Sequence, residues 1–342
     1  MNLQKGFICK IVLLFAFVAV SLTGYCGSDE AMAGKNAAPT KLFYAEVNPL
    51  DSYSGYMAKT FKRRVEDLSH GKLIIEIEAN GALGNDNEVL ASMVMDEGPD
   101  FARVSVSYLQ DYGANKAAML SSPYIFSNHE HFFKFIGTNL SKECLNELAD
   151  VKSPFIGLAF YEEGYRNFFS PKEITDLKDI EGMKVRAPYG AYAEDLMKNF
   201  NATCVRIPFT DLGQAFYNNL IDCAEQPVLN YYSNNFYTWA PYLILDEHVL
   251  ALSEIVISSK TWNTLTPEQQ NIIKRAADYV QRVNKVTIKV AEAEAISELK
   301  KKGVFITPID DIDSWKHKCS ELIGKTTKAY YNLYQDILEL DK

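Results

Sequence analysis

The sequence lacks the excess of positive charge that nucleic-acid-binding proteins need. Its 35 lysine and arginine residues are outnumbered by 44 aspartate and glutamate residues, and the formal net charge is -9. Binding to a phosphate backbone requires a basic stripe, and none occurs along the chain. A nucleic-acid partner is therefore not expected. An acidic protein can still bind an anion if a few cations lie inside a cleft.

Cysteine and histidine are also scarce, with six and five residues. The cysteines beyond the N-terminal leader form no CxxC pair and no metal-ligand spacing: Cys144, Cys204, Cys223 and Cys319. His129-Glu130-His131 invites a metal interpretation, but after Ser127-Asn128 it is more typical of a solvated helix start. No Ser/His/Asp or Cys/His order indicates a nucleophile, and no GxxxxGK[ST] or GxGxxG loop occurs. We therefore predict no enzyme activity, no cofactor and no metal.

Long apolar runs are missing except at the N-terminus. Residues 11–22 form an apolar run after Lys5 and Lys10, which is typical of an export signal and too short for an ordinary membrane helix. We predict that residues 1–33 are an export signal and tether. Two ways of processing this signal remain open. Ala31-Met32-Ala33 fits a small-x-small cleavage site, and Cys26 fits a lipid attachment site because a tether rich in small residues follows it. Either ending makes the mature protein extracytoplasmic, in the periplasm or anchored to the membrane surface.

The rest of the chain has an α/β rhythm. Its 342 residues suit two domains, and a hydrophobic fraction of 47% provides ample core. Strand patterns at 41–47, 73–79 and 101–106 alternate with helix patterns at 54–68 and 86–96, which is βαβαβ. A second unit repeats the rhythm, with strands at 155–160, 183–187, 204–207 and 222–226 and helices at 191–200 and 210–220. Glu162-Glu163-Gly164 is expected to close the strand that begins at Phe155. Two such units predict a bilobal binding protein.

A long helix is predicted after the second unit. Thr266 is a good N-cap, Pro267 suits the first helical position, and Gln269 completes a capping box. The helix is expected to reach about Lys302, where Gly303 ends it. At 1.5 Å per residue its length is roughly 50 Å, enough to lie across both lobes.

Candidate binding residues follow the strands of the second unit. Ligands of parallel α/β sheets sit at the carboxyl ends of strands, where Arg186, Phe209 and Gln226 stand. Arg166 lies among aromatic residues, and a guanidinium can hold a carboxylate through two parallel hydrogen bonds. On position alone, surface arginines on short strands are the commoner interpretation. Arg103 shares strand parity with Ser105, so it either faces the cleft as a third cation or pairs with a structural carboxylate.

A series of motifs in order resembles a known family. The motifs are FK at 61–62 with VEDLSHGK at 65–72, NGALG at 80–84, SPYIF at 122–126, DLKDIEGMKVRAP at 176–188 and DCAEQP at 222–227. From about residue 52 to about residue 277 the chain resembles the solute-binding subunits of tripartite ATP-independent periplasmic (TRAP) transporters. Each motif alone is weak evidence, whereas the ordered series is strong.

The resemblance implies a two-domain clamshell with Arg186 as the main carboxylate anchor and Arg166 as the second cation. Phe209 would pack on the ligand, and Gln226 stands where the family usually has Asn. In addition, Glu88 and Ser105 match positions that often line the other lobe. Cys223 replaces a family Gly, so its backbone cannot adopt a conformation reserved for Gly.

The expected fold is a periplasmic-binding-protein clamshell in which each lobe is a mostly parallel sheet flanked by helices. Domain I is predicted from residues 40–163 plus 251–290, and domain II from 164–250 plus 291–342. The expected partners are a small carboxylate ligand and the membrane subunits of a TRAP transporter, with the protein a monomer. Rival interpretations are an extracytoplasmic enzyme acting on an acidic substrate, or a sensor that shares the fold.

The favoured ligand is a hexuronate or a related sugar monocarboxylate. Arg166 and Arg186 are expected to share one carboxylate, and only Arg103 offers a second end for a C4-dicarboxylate. Tyr189 and Tyr192 would hydrogen-bond ligand hydroxyls or simply cover the helix they begin. The stretch from Gly164 to Phe169 also resembles family members that take sugar acids.

The two strand cysteines of the second unit are expected to be free. Flavodoxin-like strand order places the strand that begins at Met183 between the strands of Cys204 and Cys223. Two strand spacings are about 9.6 Å, which exceeds the roughly 7 Å limit for Cα atoms joined by a disulfide. We therefore predict buried thiols that pack the core.

Overall fold

A computed structural model describes residues 38–187 and 191–342. The predicted export signal and tether, with Cys26, lies outside these ranges, as does the predicted site residue Tyr189. Residues Thr40–Lys342 form one compact unit. Within the described ranges, no helix combines the length and the apolar character required to cross a bilayer.

Ten strands of the described residues form one sheet: β1 Thr40–Ala45, β2 Leu73–Glu78, β3 Phe101–Ser105, β4 Phe155–Ser170, β5 Lys184–Ala187, β6 Thr203–Arg206, β7 Cys223–Pro227, β8 Tyr242–Leu245, β9 Val249–Ser258 and β10 Phe305–Pro308. The main path runs β2-β1-β3-β9-β4-β7-β5-β6. β1 pairs in parallel with β2 and β3, and β5 pairs in parallel with β6 and β7. The two predicted parallel units are therefore confirmed.

The two parallel units are joined by the antiparallel strands β4 and β9. β9 pairs with β3 on one side and with β4 on the other, and β4 continues the sheet to β7. The sequence predicted a sheet in each lobe, whereas the structure has one continuous mixed sheet. Off the main path, β8 pairs with β4 and with β10.

The predicted end of β4 at Glu162-Glu163-Gly164 is wrong, because the strand runs on to Ser170 and has 16 residues in total. The register between β4 and β9 shifts between Glu162 and Tyr165. Gly164 has a φ of +91°, and the chain accommodates one extra residue in a bulge there before the pairing resumes. A glycine that suggested a strand end instead marks an irregularity inside a long strand.

Twelve α-helices of the described residues flank the sheet: α1 Tyr53–Leu68, α2 Asp86–Val94, α3 Asn115–Met119, α4 His129–Ile136, α5 Asn139–Asp150, α6 Ala191–Asn199, α7 Leu212–Tyr217, α8 Val228–Ser233, α9 Ser259–Thr264, α10 Pro267–Lys301, α11 Ile312–Thr327 and α12 Tyr331–Glu339. The helix predicted at 210–220 is shorter than expected, with a 3-10 turn at Phe209–Asp211 leading into α7.

The long helix α10 is confirmed, with 35 residues. The Thr266 hydroxyl accepts from the Gln269 backbone N–H at 3.3 Å, and the Gln269 side chain accepts from the Thr266 N–H at 2.9 Å. α10 packs against α1, α8 and the central strand β4. Its buried face is rich in alanine, including Ala277, Ala291 and Ala295, and such small side chains allow close packing.

The predicted strand order around the two strand cysteines is confirmed. β5 lies between β6 and β7, and Val185 is in register with both Cys204 and Cys223. Both thiols are free, although only Cys223 is fully buried and Cys204 is half-buried. Burial raises the pKa of the Cys223 thiol well above its usual range, so it behaves as a packing group.

The predicted solvated helix start at His129-Glu130-His131 is wrong for both histidines. The His131 side chain is buried, and its Nε2 bonds to the Ile337 carbonyl at 2.7 Å. His129 lies between the carboxylates of Glu162 and Glu292, at 2.7 and 2.9 Å. The bulge in β4 is thereby tied to α4 and to α10.

Candidate functional site

Six of the eight predicted site residues line one cavity of about 40 Å³: Arg103, Ser105, Arg166, Arg186, Phe209 and Gln226. They come from β3, β4, β5, β7 and the turn after β6. The sheet order brings these positions together although they span more than a hundred residues of the chain. We call this space the Arg186 cavity.

Arg186 has the least satisfied charge in the cavity. Its side chain on β5 is 1% exposed, and its Nε donates to the Ile207 carbonyl at 2.9 Å. Its Nη2 is buried without a hydrogen-bond partner. Within the described residues, no carboxylate forms an ion pair with it. Burial lowers the pKa of the guanidinium, because nothing nearby fully offsets the loss of water. A buried charged donor without a partner is costly, so this atom requires an acceptor.

Arg166, in contrast, is already neutralised. Its Nε and Nη2 both bond to the Glu225 carboxylate, with Nη2 at 2.7 Å from Oε1. Behind Glu225, His248 Nε2 lies 3.7 Å from the same carboxylate and His248 Nδ1 bonds to Asp246. Burial favours the neutral form of Glu225, but Arg166 and His248 outweigh it and hold the pKa at about 2. The four residues form a buried row of alternating charge.

Arg103 is also paired with structural carboxylates, which is the second of the two alternatives that its position predicted. Its Nη2 lies 2.6 Å from Glu46 Oε1 and its Nε 3.3 Å from Oε2. Its Nη1 lies 3.5 Å from Glu163 Oε1. Glu163 also accepts from Ser54, Ser253 and Asn230 at 3.0 Å each. Arg103 therefore contributes hydrogen-bonding capacity to the cavity rather than an unmatched charge.

Glu88 caps a helix instead of pointing to this cavity. Its carboxylate accepts from the Asn85 backbone N–H at 2.8 Å and closes a capping box at the start of α2. The side chain of α2 that lines the cavity belongs to Asp86. Burial raises the pKa of the Asp86 carboxyl to about 6, while Arg103 works in the opposite direction. An acid that titrates near neutrality thus lies beside the arginines.

The remaining predicted residues form part of the cavity wall. Ser105 Oγ and Ser107 Oγ are 3.1 Å apart and bond to each other. Gln226 is buried on β7, in register with Asn167 of β4. The Phe209 ring packs edge-on against Phe236, with centroids 5.6 Å apart. Cys223 has no left-handed backbone conformation, so its replacement of the family Gly causes no strain there.

Across residues 38–187 and 191–342, no group of three or more histidine, cysteine, aspartate or glutamate side chains is arranged to hold a metal ion. The cavity brings together the partly unsatisfied Arg186 guanidinium, the Asp86 carboxyl, the paired Arg103 and Arg166, polar side chains and the Phe209 ring.

The model of one protein family, bacterial extracellular solute-binding protein, family 7, matches residues 44–329 of the chain. The chain belongs to this family. The resemblance to TRAP solute-binding subunits that the ordered motifs predicted is confirmed, and the match extends beyond the residues that carried it.

Curated relatives of this family 7 protein are distant but match over most of their length. A solute-binding protein of Roseobacter denitrificans is 26% identical, covering 74% of this chain and 77% of its own. The sialic acid-binding periplasmic protein SiaP of Vibrio cholerae is 22% identical, covering 81% and 85%. The C4-dicarboxylate-binding periplasmic protein DctP of Shewanella loihica is 22% identical, covering 84% and 86%.

Solved structures show the fold of this family 7 protein. A TRAP periplasmic solute-binding protein from Pseudomonas putida F1, with bound D-glucuronate, has a TM-score of 0.83 at 24% identity, covering 87% of this chain and 96% of its own. A sugar acid binding protein from Advenella mimigardefordensis, in complex with galactonate, has a TM-score of 0.82 at 24% identity, covering 89% and 98%. The fold is the two-lobed α/β clamshell, as the resemblance implied.

Sequence reasoning missed six polar residues that also line the Arg186 cavity: Asn48, Asp86, Tyr108, Glu163, Asn230 and Ser253. None lies in a motif with a recognisable role. Glu163 was assigned to a strand end, and that interpretation hid its inward orientation. Asn48 follows β1 closely, and the same rule on strand ends that selected Arg186 would have selected it.

Proposed function

We propose that this protein captures a small organic acid outside the cytoplasm and delivers it to the membrane subunits of a TRAP transporter. The observation that carries the proposal is the buried, unpartnered Nη2 of Arg186, in a cavity where Arg103 and Arg166 are already paired with carboxylates. A ligand carboxylate would supply the missing acceptor and the missing negative charge. A charged hydrogen bond is worth about 1.5–3 kcal/mol net, so a few of them with apolar contact support roughly micromolar to nanomolar affinity.

We assign the lobes as the sequence predicted. Domain I comprises residues 40–163 plus 251–290, and domain II comprises 164–250 plus 291–342. On this division Arg103 and Ser105 belong to domain I, while Arg166, Arg186 and Phe209 belong to domain II. A ligand held at Arg186 would contact both lobes, so its binding favours the closed form that the membrane subunits recognise.

The favoured ligand is a sugar monocarboxylate such as a hexuronate. Two of the three cavity arginines pair with Glu46 and Glu225, so Arg186 is the one without a carboxylate in hydrogen-bond contact among the described residues and is available to one ligand carboxylate. Ser105, Gln226 and Phe209 offer hydroxyl partners and a ring face. Relatives of the same fold hold D-glucuronate and galactonate.

A C4-dicarboxylate is the second candidate, because relatives in Shewanella loihica and Bacillus subtilis are named for that class. It would need a second unmatched cation, and Arg103 would have to leave Glu46 to provide one. The charge pairing therefore favours the monocarboxylate.

Mass spectrometry of small molecules retained by the purified protein tests the ligand class, followed by thermal-shift screening of hexuronates, succinate, malate and fumarate. Bound ligand raises the melting temperature by mass action. We expect stabilisation by a sugar acid, and recovery of the ligand unchanged after incubation, as a binding protein requires. Stabilisation by C4-dicarboxylates alone would overturn the favoured ligand, and chemical conversion of the ligand would indicate an enzyme.

The two endings of the export signal make different predictions for location. Lipid attachment at Cys26 places the protein in the membrane fraction with an added acyl mass, whereas cleavage after Ala33 gives an unmodified soluble N-terminus. Intact mass of the protein from each cell fraction distinguishes them. Size-exclusion chromatography with light scattering tests the proposed monomer.

A further inference from the structure

A second, larger cavity adjoins the Arg186 cavity. Its volume is about 240 Å³, compared with about 40 Å³ for the Arg186 cavity. Val47 and Phe209 line both, so the two spaces share a wall. We call the larger space the Trp239 cavity. A single hexuronate bound at Arg186 would leave the Trp239 cavity filled with water.

Aromatic rings and amides dominate the lining of the Trp239 cavity, which includes Phe209, Phe236, Trp239, Asn80 and Asn234. No described lining residue carries a charge. The rings supply flat apolar faces, and amide groups both donate and accept hydrogen bonds. This chemistry suits a neutral sugar ring, whose C–H face packs on an aromatic ring while its hydroxyls bond to amides.

Trp239 is held in a fixed position although it is 39% exposed. The six-membered part of its indole lies against Gly213, where an added Cβ would be only 3.0 Å from Trp239 Cη2. Asn234 is held as well, since its Nδ2 donates to the Asn230 carbonyl at 3.0 Å and to Asn48 Oδ1 at 3.3 Å. Pre-positioned side chains lose little entropy on binding, which favours a built subsite over an incidental groove.

We propose that the Trp239 cavity is a second subsite, which takes the neutral ring of an acidic disaccharide whose uronate carboxylate is held at Arg186. This inference rests on the proposed function and extends it from a monosaccharide acid to a uronic acid joined by a glycosidic bond to a neutral sugar. Phe209 separates the two rings and contacts both.

Calorimetric titration with a hexuronate and with an aldobiuronic acid, in which the same hexuronate is joined to a neutral hexose, tests the proposal. We expect the disaccharide to bind at least tenfold more tightly than the hexuronate. Trp239→Ala should abolish this gain and leave hexuronate affinity within twofold. Trp239→Phe should restore part of it, because a ring face returns. Tyr217→Ala is the matched control, since Tyr217 is a 72% exposed aromatic on α7 that lines neither cavity.

Tryptophan fluorescence gives a readout that needs no variant. The chain has three tryptophans, and Trp262 and Trp315 are 9% and 3% exposed. The disaccharide should shift the emission of Trp239 to the blue, and the hexuronate should not. If the hexuronate binds and the disaccharide binds no more tightly, or if Trp239→Ala weakens both equally, the subsite is refuted while the proposed function stands. If neither ligand binds, the favoured ligand class is wrong and the subsite is refuted with it.

Discussion

Three chemically identical arginines line the Arg186 cavity, and their partners make them different. Glu46 neutralises Arg103 and Glu225 neutralises Arg166, whereas Arg186 has only a backbone carbonyl. The sequence predicted that Arg166 and Arg186 share one ligand carboxylate, but only Arg186 lacks a carboxylate partner within the part of the protein that the structure describes. A ligand carboxylate would therefore alter the electrostatic environment of Arg186 more than that of Arg103 or Arg166.

Replacing Arg186 with Ala should weaken ligand binding at least a hundredfold, because the ligand carboxylate loses a charged partner in a buried site. Arg186→Lys should be intermediate, since an ammonium cannot form two parallel bonds. Thermal melting of the unliganded variant is measured alongside, because the truncation removes an unpaired donor but also leaves a cavity and an unpaired Ile207 carbonyl. Calorimetric titration provides the measurement.

Arg206→Ala on the adjacent strand β6 is the control for Arg186. Arg206 is in register with Ala187 and pairs with Glu194 at the surface. Binding by Arg186→Ala within threefold of the wild type would contradict the role of Arg186.

Asp86 predicts a pH dependence of binding. Its pKa is about 6, so lowering the pH from 7.5 to 5.5 removes a negative charge beside Arg186 and should strengthen binding of an anion several-fold. Glu225 and His248, with pKa values of about 2 and 9, keep their charges across this range. Asp86→Asn should flatten the profile, whereas Asp96→Asn at the surface should not. An unchanged profile in Asp86→Asn would contradict this assignment.

The same pKa predicts a change in stability. The folded-state pKa of Asp86 lies above its ordinary value of 3.8, so its stabilising contribution is complete below about pH 4. That contribution is lost as the pH rises through 6. Asp86→Asn should therefore gain stability relative to the wild type on going from pH 4 to pH 7. Urea unfolding at both pH values measures the difference.

Residue types at the site could be predicted from the sequence, but their electrostatic state could not. Strand-end positions and motifs selected Arg186, Phe209 and Gln226, which share a cavity. The partners Glu46 and Glu225 lie 57 and 59 residues from the arginines they neutralise. No local pattern connects residues that far apart.

At the scale of elements, Gly164 allows β4 to continue through its bulge. Its φ of +91° disfavours other residues, and an added Cβ would collide with the Glu292 carboxylate. Gly164→Ala should lower the free energy of unfolding by about 1–3 kcal/mol. Gly182→Ala is the matched control, because Gly182 has a φ of +78° with nothing near its Cβ position. Chemical denaturation compares the two, and equal losses would show that the contact with Glu292 has no effect.

Helix α10 could be predicted almost to the residue, whereas β4 could not. The start of α10 depends on Thr266, Pro267 and Gln269, which lie within four positions of one another. The course of β4 depends instead on pairing with β9, more than eighty residues later. Local signals fix capping, while strand continuation is decided by partners that are distant in the sequence.

At the scale of the whole molecule, the two proposed domains touch at Gly81 and Thr210. A Cβ at Gly81 would lie 2.9 Å from Thr210 Cγ2. Gly81→Ala should therefore hinder closure and raise the ligand dissociation rate about tenfold or more. Adding Thr210→Ser removes the clashing methyl group and should restore most of the affinity.

Gly71→Ala provides the matched control for closure. Gly71 has a φ of +75° and nothing near its Cβ position. The Gly71→Ala variant therefore measures the effect of backbone strain alone, without a new contact between the proposed domains. Stopped-flow dissociation measures each variant. Equal rates for Gly81→Ala with and without Thr210→Ser would contradict the closure contact.

The proposed domain boundary crosses both β4 and β9, and this has a mechanical consequence. Two domains joined by flexible linkers can rotate without straining either linker. Two hydrogen-bonded strands that cross the boundary, such as β4 and β9, must bend together when the domains rotate. The β4–β9 register shifts between Glu162 and Tyr165, and there Asn284 of α10 donates to the Glu162 carbonyl at 2.8 Å and accepts from the Glu162 N–H at 3.1 Å. On the proposed domain division we expect any opening of the cleft to bend β4 and β9 together, so that the backbone pairing between these two strands resists opening.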